Sequence, residues 1–246
     1  MNNPLRLKNL VLDILYPKFC INCKKEGFYL CEDCLSLIEI LDKQYCPFCF
    51  PAKTAIGGKT CLTCQKTHYL NGLYFACSYE NPTIKKLIAD FKYEPYMKDY
   101  AELLAFFLIS HLANLNKTFS NFKEFIIIPV PLFIKKQKIR GYNQAEEIAK
   151  KVSEILEIQL LLNVLIKTRP TISQTKLKRE ERQKNIANSF SISKNWDPSS
   201  PNNLIGRKVL LVDDVFTTGG TMDECSRILK EAGAKEVWGM AVARGN

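Results

Sequence analysis

Asp213 and Asp214 stand side by side at the end of the apolar run Val209–Val212, and Thr217-Thr218-Gly219-Gly220-Thr221 follows almost at once. An unbroken apolar run of this kind reads as a buried parallel strand. That places the two acids at a strand's carboxyl end, where open α/β sheets bind ligands. Gly219 and Gly220 let the main chain approach an anion closely, the threonines add hydroxyls, and the amphipathic stretch after them starts a helix with its positive end aimed at the same place. A phosphate fits that loop. Adjacent carboxylates repel one another unless hydroxyl donors or a metal ion relieve them, and sugar hydroxyls with Mg²⁺ would provide both.

The second chemically capable set is made of cysteines. Four Cys-x-x-Cys pairs follow one another, Cys20/Cys23, Cys31/Cys34, Cys46/Cys49 and Cys61/Cys64, with only Cys77 and Cys225 left over. In a chain without secretory features these are metal ligands rather than disulfides, and eight thiols make two closed Zn²⁺ sites that hold the fold and leave no open position for catalysis. The short gaps favour consecutive ribbons, first pair with second and third with fourth; spacing alone leaves a cross-braced arrangement open. An iron–sulfur cluster uses related spacings and would colour the protein. Cys77, in a strand-like run, and Cys225, on a helix face, read as small core residues. His68 is not needed as a ligand. Gly57-Gly58-Lys59-Thr60 is no P-loop, because that pattern requires glycine where Lys53 stands and a strand before it.

The 246 residues carry a formal charge of +10. Eight thiolates and two divalent ions would bring it to about +6, which is still basic. The excess is clustered, at Lys135, Lys136, Lys138 and Arg140, and again at Lys167, Arg169, Lys176, Lys178, Arg179, Arg182 and Lys184. Such clusters suit a polyanion, a diphosphate or a nucleic-acid backbone, although charge runs are commonly no more than a solvated surface. The first 19 residues contain Arg6, Lys8 and Asp13 and no small-residue cleavage site. The apolar stretch Leu103–Ile109 falls far short of the roughly 20 residues of a membrane helix. A cytoplasmic protein with no membrane insertion is expected.

The elements that must position these residues fall into two parts. Residues 1–70 read as a double zinc-ribbon domain with an N-terminal helix, and residues 71–246 as one α/β domain in which strands and helices alternate around a mostly parallel sheet. Strands are expected over 73–79, 125–130, 160–166, 189–192, 209–212 and 237–242. Helices are expected over 82–91, opened by Asn81-Pro82, and over 101–114, 144–157 and 221–232, with Asn143 and Glu146 as a capping box. A loop from Pro129-Val130-Pro131 to Arg140 and a long basic stretch over 167–187 both leave carboxyl ends of strands and can converge on the acid pair.

Residues 209–221 resemble the phosphoribosyl diphosphate (PRPP) motif of type I phosphoribosyltransferases. A receiver-domain acid pair, the competing reading, does not need a Thr/Gly loop directly after the acids. The resemblance implies a type I phosphoribosyltransferase-like sheet with helices on both faces. It also implies ribose hydroxyls on Asp213 and Asp214, the 5′-phosphate in Thr217, Thr218, Gly219, Gly220 and Thr221, Mg²⁺ accompanying PRPP, and pyrophosphate held by Lys135, Lys136 and Arg140. Lys178, Arg179 and Arg182 fall where that family carries a mobile loop and could hold pyrophosphate or a DNA backbone.

The double zinc ribbon, Phe-Lys-Tyr at 91–93, Ile-Pro-Val-Pro at 128–131 and Arg-Gly-Tyr-Asn-Gln-Ala-Glu at 140–146, together with the terminal motif, resemble the ComF family of competence proteins along nearly the whole chain. That resemblance implies handling of incoming single-stranded DNA in natural transformation, alongside a helicase-like partner and recombination proteins. Phe48, Phe50, Tyr69, Tyr93, Tyr96 and Tyr142 are available to stack on bases, although packing would use the same residues. The alternative is an active phosphoribosyltransferase with an unidentified acceptor. The loop's Gly220 stands where related members often have Ala or Ser, a change that leaves phosphate binding intact.

Overall fold

The computed structural model describes residues 17–117, 119–170, 186, 188–197, 199 and 203–245. Strands β1 (Gly72–Ser78), β2 (Phe125–Pro129), β5 (Lys208–Phe216) and β6 (Glu236–Arg244) form one parallel sheet in the order β1-β6-β5-β2. β3 (Leu165–Lys167) and β4 (Phe190–Ile192) form a separate antiparallel pair. The helices are α1 (Glu32–Leu35), α2 (Pro82–Lys92), α3 (Tyr100–Asn114), α4 (Ile134–Arg140), α5 (Gln144–Leu156) and α6 (Gly220–Glu231).

Both faces of the sheet are covered because its strands are apolar on both sides. Tyr74, Ala76, Ile127, Leu210, Val212 and Met240 pack under α2, α3 and α5. Their neighbours Leu73, Phe75, Ile126, Ile128, Val209 and Leu211 pack under α6 and the β3–β4 pair. Cys77 and Cys225 are fully buried in these two cores, as expected of small apolar residues. The cysteine-rich segment shares the same cores: Cys20, Ile21, Cys31 and Cys34 join the first, and Phe48 joins the second. Between the cysteine clusters, Leu41 donates its amide to Ala76 and accepts from Nδ1 of the buried His111. Burial lowers the pKa of that imidazole.

Two expected elements come out differently. The run 160–166 does not extend the parallel sheet. Leu160 makes one isolated bridge to Ile127, Asn163 turns the chain at φ 58°, and only Leu165–Lys167 is strand, antiparallel to β4. The basic run after Pro131 is helical rather than loop. α4 ends at Gly141, whose φ of 83° glycine adopts without strain. Asn143 caps α5 by accepting from Ala145, but Glu146 pairs with Lys150 instead of closing the capping box. The N-terminal helix and the basic stretch through Lys178, Arg179 and Arg182 lie outside the described residues.

Candidate functional site

β5 outruns its neighbour β2. The last residue of β2, Pro129, lies opposite Val212, so Asp213 and Asp214 project past the end of β2 into a crevice of about 320 Å³. Thr217, Gly219 and Thr221 line the same crevice, while Thr218 and Gly220 belong to the loop without lining it. Gly219 caps α6 in the left-handed conformation (φ 81°). A Cβ there would come within 2.5 Å of Phe216 and 2.7 Å of Phe48, so both the turn and the packing call for glycine. The loop therefore delivers the amino end of α6 beside the acid pair, an arrangement suited to an anion.

Of the basic residues expected from the sequence, Lys136 and Arg140 line the crevice. They are four residues apart on α4 and so share one face; Lys135, a position off that face, is exposed and does not line it. Arg140 also lies over the ring of Tyr93, 5.9 Å from its centroid, at the crevice mouth. Two further cations were not singled out for the site. Lys167 lines the crevice, with its pKa lowered by burial and by Lys136. Lys92, the last residue of α2, places Nζ 2.7 Å from Oδ1 of Asp214. The sequence held two signals for Lys92: it is the centre of the Phe-Lys-Tyr run at 91–93, and it stands four residues after Ile88 on the stripe Ile84, Leu87, Ile88 and Phe91, so its stem had to enter the interior.

The acids are not equivalent. Asp214 is buried and bonded to Lys92, whose ammonium is raised in pKa by it against the opposing effect of burial. Asp213 accepts the amide of Asp214 at 2.9 Å, and its pKa is pushed up to about 7 by burial and then by the neighbouring carboxylate. Removing one partner of a buried pair such as Lys92–Asp214 strands a charge, at a cost of about 3–5 kcal/mol.

The run 140–144 is a bracket for this crevice. The hydroxyl of Tyr142 donates to the Phe91 carbonyl at 2.6 Å, Gln144 reaches the same carbonyl at 3.4 Å, and Nδ2 of Asn143 donates to Val130 at 3.0 Å. The end of α2, the end of β2 and the start of α5 are thus tied together around the acids. Of the aromatic candidates for base stacking, Phe48 and Tyr142 are buried, Tyr96 is half-buried, and Phe50, Tyr69 and Tyr93 are exposed.

The eight cysteines gather as their sequence order favours, Cys20, Cys23, Cys31 and Cys34 in one cluster and Cys46, Cys49, Cys61 and Cys64 in the other, with the sulfurs of each cluster within 4.8 Å of one another. Separations of 3.5 Å (Cys23–Cys31), 3.6 Å (Cys49–Cys61) and 3.7 Å (Cys49–Cys64) match the edge of about 3.8 Å that a tetrahedron with metal–sulfur bonds of about 2.3 Å requires. Cys61 is lowered to about 6 by a backbone hydrogen bond and its thiol neighbours, whereas burial pushes Cys34 up to about 12. Four thiols this close ionise together only around a cation. The residues fit a structural metal ion in each cluster.

A mostly parallel sheet with an acid pair and a Thr/Gly phosphate loop at the end of a central strand defines a phosphoribosyltransferase-type domain, and the family model described as "Phosphoribosyl transferase domain" matches residues 137–246. Competence protein F of Haemophilus influenzae is 41% identical over 119 residues, 48% of this chain and 50% of that protein. Competence protein ComFC of Streptococcus pneumoniae is 28% identical over 221 residues, 87% of each chain. The DNA utilization protein YhgH of Escherichia coli K12 is 28% identical over 213 residues, 85% of this chain and 88% of that one. The match thus spans about half of the Haemophilus protein and most of the other two. These relatives are ComF, ComFC and YhgH proteins, and the chain is similar to them over about half to most of its length. Among solved structures, a purine phosphoribosyltransferase from Pyrococcus horikoshii aligns at 18% identity and a TM-score of 0.32, covering 58% of this chain and 80% of that one.

Proposed function

We propose that this protein handles incoming single-stranded DNA during natural transformation in the cytoplasm, with its crevice holding a phosphorylated pentose, PRPP with Mg²⁺, or a strand phosphate. The observation that carries the crevice part is the convergence of Asp213, Asp214, Thr217, Gly219 and Thr221 with Lys92, Lys136, Arg140 and Lys167 on one cavity. The DNA part is supported by the names of the relatives, which are competence and DNA utilization proteins. Exposed Tyr93, with Arg140 over its ring, also favours it, since single-strand binders combine cationic grooves with stacking rings. Zn²⁺ is the ion that closed four-thiolate sites ordinarily take. A helicase-like protein and recombination proteins are the expected partners. Among the described residues no helix is long and apolar enough to cross a membrane.

The test is a pair of titrations on the metal-loaded protein. Calorimetry with PRPP and Mg²⁺ should give binding that Asp213→Ala or Asp214→Ala abolishes, while anisotropy with labelled single-stranded DNA remains close to wild type in the same variants and weakens steeply with salt. No heat with PRPP would remove the sugar-phosphate reading; salt-independent DNA binding would remove the backbone one. A second reading, transfer of phosphoribose to an acceptor, is favoured by the four cations that line the crevice with the acid pair, since a leaving pyrophosphate would need them. Release of pyrophosphate from PRPP in the presence of a panel of bases would establish it.

A further inference from the structure

The matched domain model begins at residue 137, so it includes neither α2 nor Lys92, yet Lys92 makes a 2.7 Å ion pair with Asp214 in the crevice. Three facts make this lysine more than a packing residue. Its side chain is a quarter exposed and lines the crevice. Its position is fixed from the opposite wall, because the Phe91 carbonyl next to it receives both the Tyr142 hydroxyl and the Gln144 amide, and the Tyr93 amide closes the helix on Ala89. It already supplies the positive charge that two adjacent carboxylates need, which is the service a divalent ion would otherwise perform there. With both acids ionised, Lys92, Lys136, Arg140 and Lys167 face Asp213 and Asp214, leaving a surplus of two positive charges. That surplus matches a phosphate monoester, which carries nearly two negative charges at neutral pH.

We propose that Lys92 is the resident counter-cation of the acid pair, so that Asp213 and Asp214 take the hydroxyls of a pentose 5-phosphate with no divalent ion at the carboxylates. This rests on the sugar-phosphate reading above and extends it. Mg²⁺ is then needed only for the additional charge of a diphosphate, as in PRPP. Lys92 acts as a positioning residue: it holds the Asp214 carboxylate in place for the sugar and shields it from Asp213.

The experiment is calorimetry of the full-length, metal-loaded protein with ribose 5-phosphate. The buffer is freed of Mg²⁺ by chelating resin, since a soluble chelator would strip the cysteine sites, and the titration is repeated with millimolar Mg²⁺. Wild type should bind with an affinity that changes less than about threefold between the two, while Lys92→Met should weaken at least about tenfold without Mg²⁺ and regain affinity when Mg²⁺ is added, as expected for loss of a charged hydrogen-bond partner. Lys92→Arg, which keeps the charge, should stay Mg²⁺-independent. A wild type that binds only with Mg²⁺, or a folded Lys92→Met indistinguishable from wild type in resin-treated buffer, overturns the inference and leaves the sugar-phosphate reading standing. No heat with ribose 5-phosphate under either condition sinks both. Should Lys92→Met fail to fold by circular dichroism, the wild-type comparison with and without Mg²⁺ still decides.

Discussion

The two cysteine clusters have the same ligands and the same Cys-x-x-Cys spacing, yet they brace different parts of the molecule. The first, Cys20 to Cys34, rests on the helical face. Asn22 bonds Thr83, Lys86 reaches the Ile21 carbonyl, and Tyr29 packs edge-on against Tyr100 at 5.1 Å while its hydroxyl bonds Asp99. The second, Cys46 to Cys64, is attached to the phosphate loop. Phe48 stacks face to face on His68 at 3.7 Å and meets Phe216 edge-on, and the Arg244 guanidinium holds the carbonyls of Cys46 and Pro47. Nδ1 of His68 lies 2.8 Å from Asp223, whose other oxygen takes the amides of Tyr69 and Leu70. Asp223 stands in the first turn of α6, the helix that Gly219 caps. One cluster therefore braces the starts of α2 and α3, and the other backs the phosphate loop of the candidate site through Phe48. A metal-binding motif says what it holds; only its neighbours say what depends on it.

The largest effect should come from breaking each cluster in turn. Cys61→Ser with Cys64→Ser removes the metal from the second cluster and with it the support of the phosphate loop. Metal content should fall by one ion per chain, and ribose 5-phosphate binding should weaken beyond detection. Cys31→Ser with Cys34→Ser should also lose one ion and lower the unfolding midpoint, because metal binding in such modules contributes on the order of 10 kcal/mol to folding. In protein that remains folded, however, it should leave ligand affinity within about threefold. Equal losses of affinity from the two pairs would erase the distinction between the clusters.

An electrostatic asymmetry follows in size. The crevice carries a strained charge that the first cluster lacks, since Asp213 is held at about 7 by burial and by Asp214. A carboxyl whose folded pKa is raised stabilises the fold fully below its unfolded pKa of about 4, and that stability is lost as pH rises towards 7. Asp213→Asn should therefore stabilise the protein by on the order of 2–4 kcal/mol at pH 8, with a clearly smaller gain at pH 5.5, read from chemical unfolding at the two pH values. A gain that does not vary with pH would mean that Asp213 is not held protonated by the crevice.

How much of this was legible beforehand divides along the same line. The strand, acids and loop of 209–221 and the four cysteine pairs are local signals, fixed by period and spacing, and they stand where the sequence places them. Lys136 and Arg140 were singled out within one basic run, but a helix of seven residues, Ile134–Arg140, selects them over Lys135, and its short, strongly basic sequence does not advertise a helix. The strand expected over 160–166 failed because an apolar run carries no record of where an asparagine at positive φ turns it. Lys92 and the Phe48–His68–Asp223 chain were hidden for a different reason. Each joins segments far apart in the sequence, and such tertiary pairings leave only a faint trace, such as a lysine on an apolar stripe.

Glycines at positive φ sharpen the comparison further. Gly27, in the first cluster, has φ 96° and open space where a Cβ would go, whereas Gly219 has φ 81° and two aromatic rings there. Gly27→Ala should cost about 1 kcal/mol, the conformational penalty alone. Gly219→Ala adds overpacking against Phe48 and Phe216 and should cost about 2–4 kcal/mol, with weakened phosphate-ligand binding that Gly27→Ala does not show. Matching melting curves for the two variants would mean that Phe48 yields freely and that the second cluster does not press on the loop.

The smallest contrast isolates single hydrogen bonds. Tyr29→Phe deletes an exposed bond to Asp99 on the first side and should change stability by less than about 0.5 kcal/mol. His68→Ala deletes a half-buried partner of Asp223 together with the ring on which Phe48 stacks, which should cost about 1–2 kcal/mol. Stability alone would not separate a positioning role from a structural one, so the deciding quantity is ligand affinity. His68→Asn can keep a side-chain donor for the Asp223 carboxylate but loses the stacked ring. If the hydrogen bond orients α6, Asn recovers most of the ribose 5-phosphate affinity that Ala loses; if the ring holds Phe48 against Gly219, both variants bind equally weakly. Either result keeps the second cluster coupled to the loop, whereas full affinity in both variants would leave the Tyr69 and Leu70 amides on Asp223, the Arg244 contacts and the packing of Phe48 on Phe216 to carry the coupling.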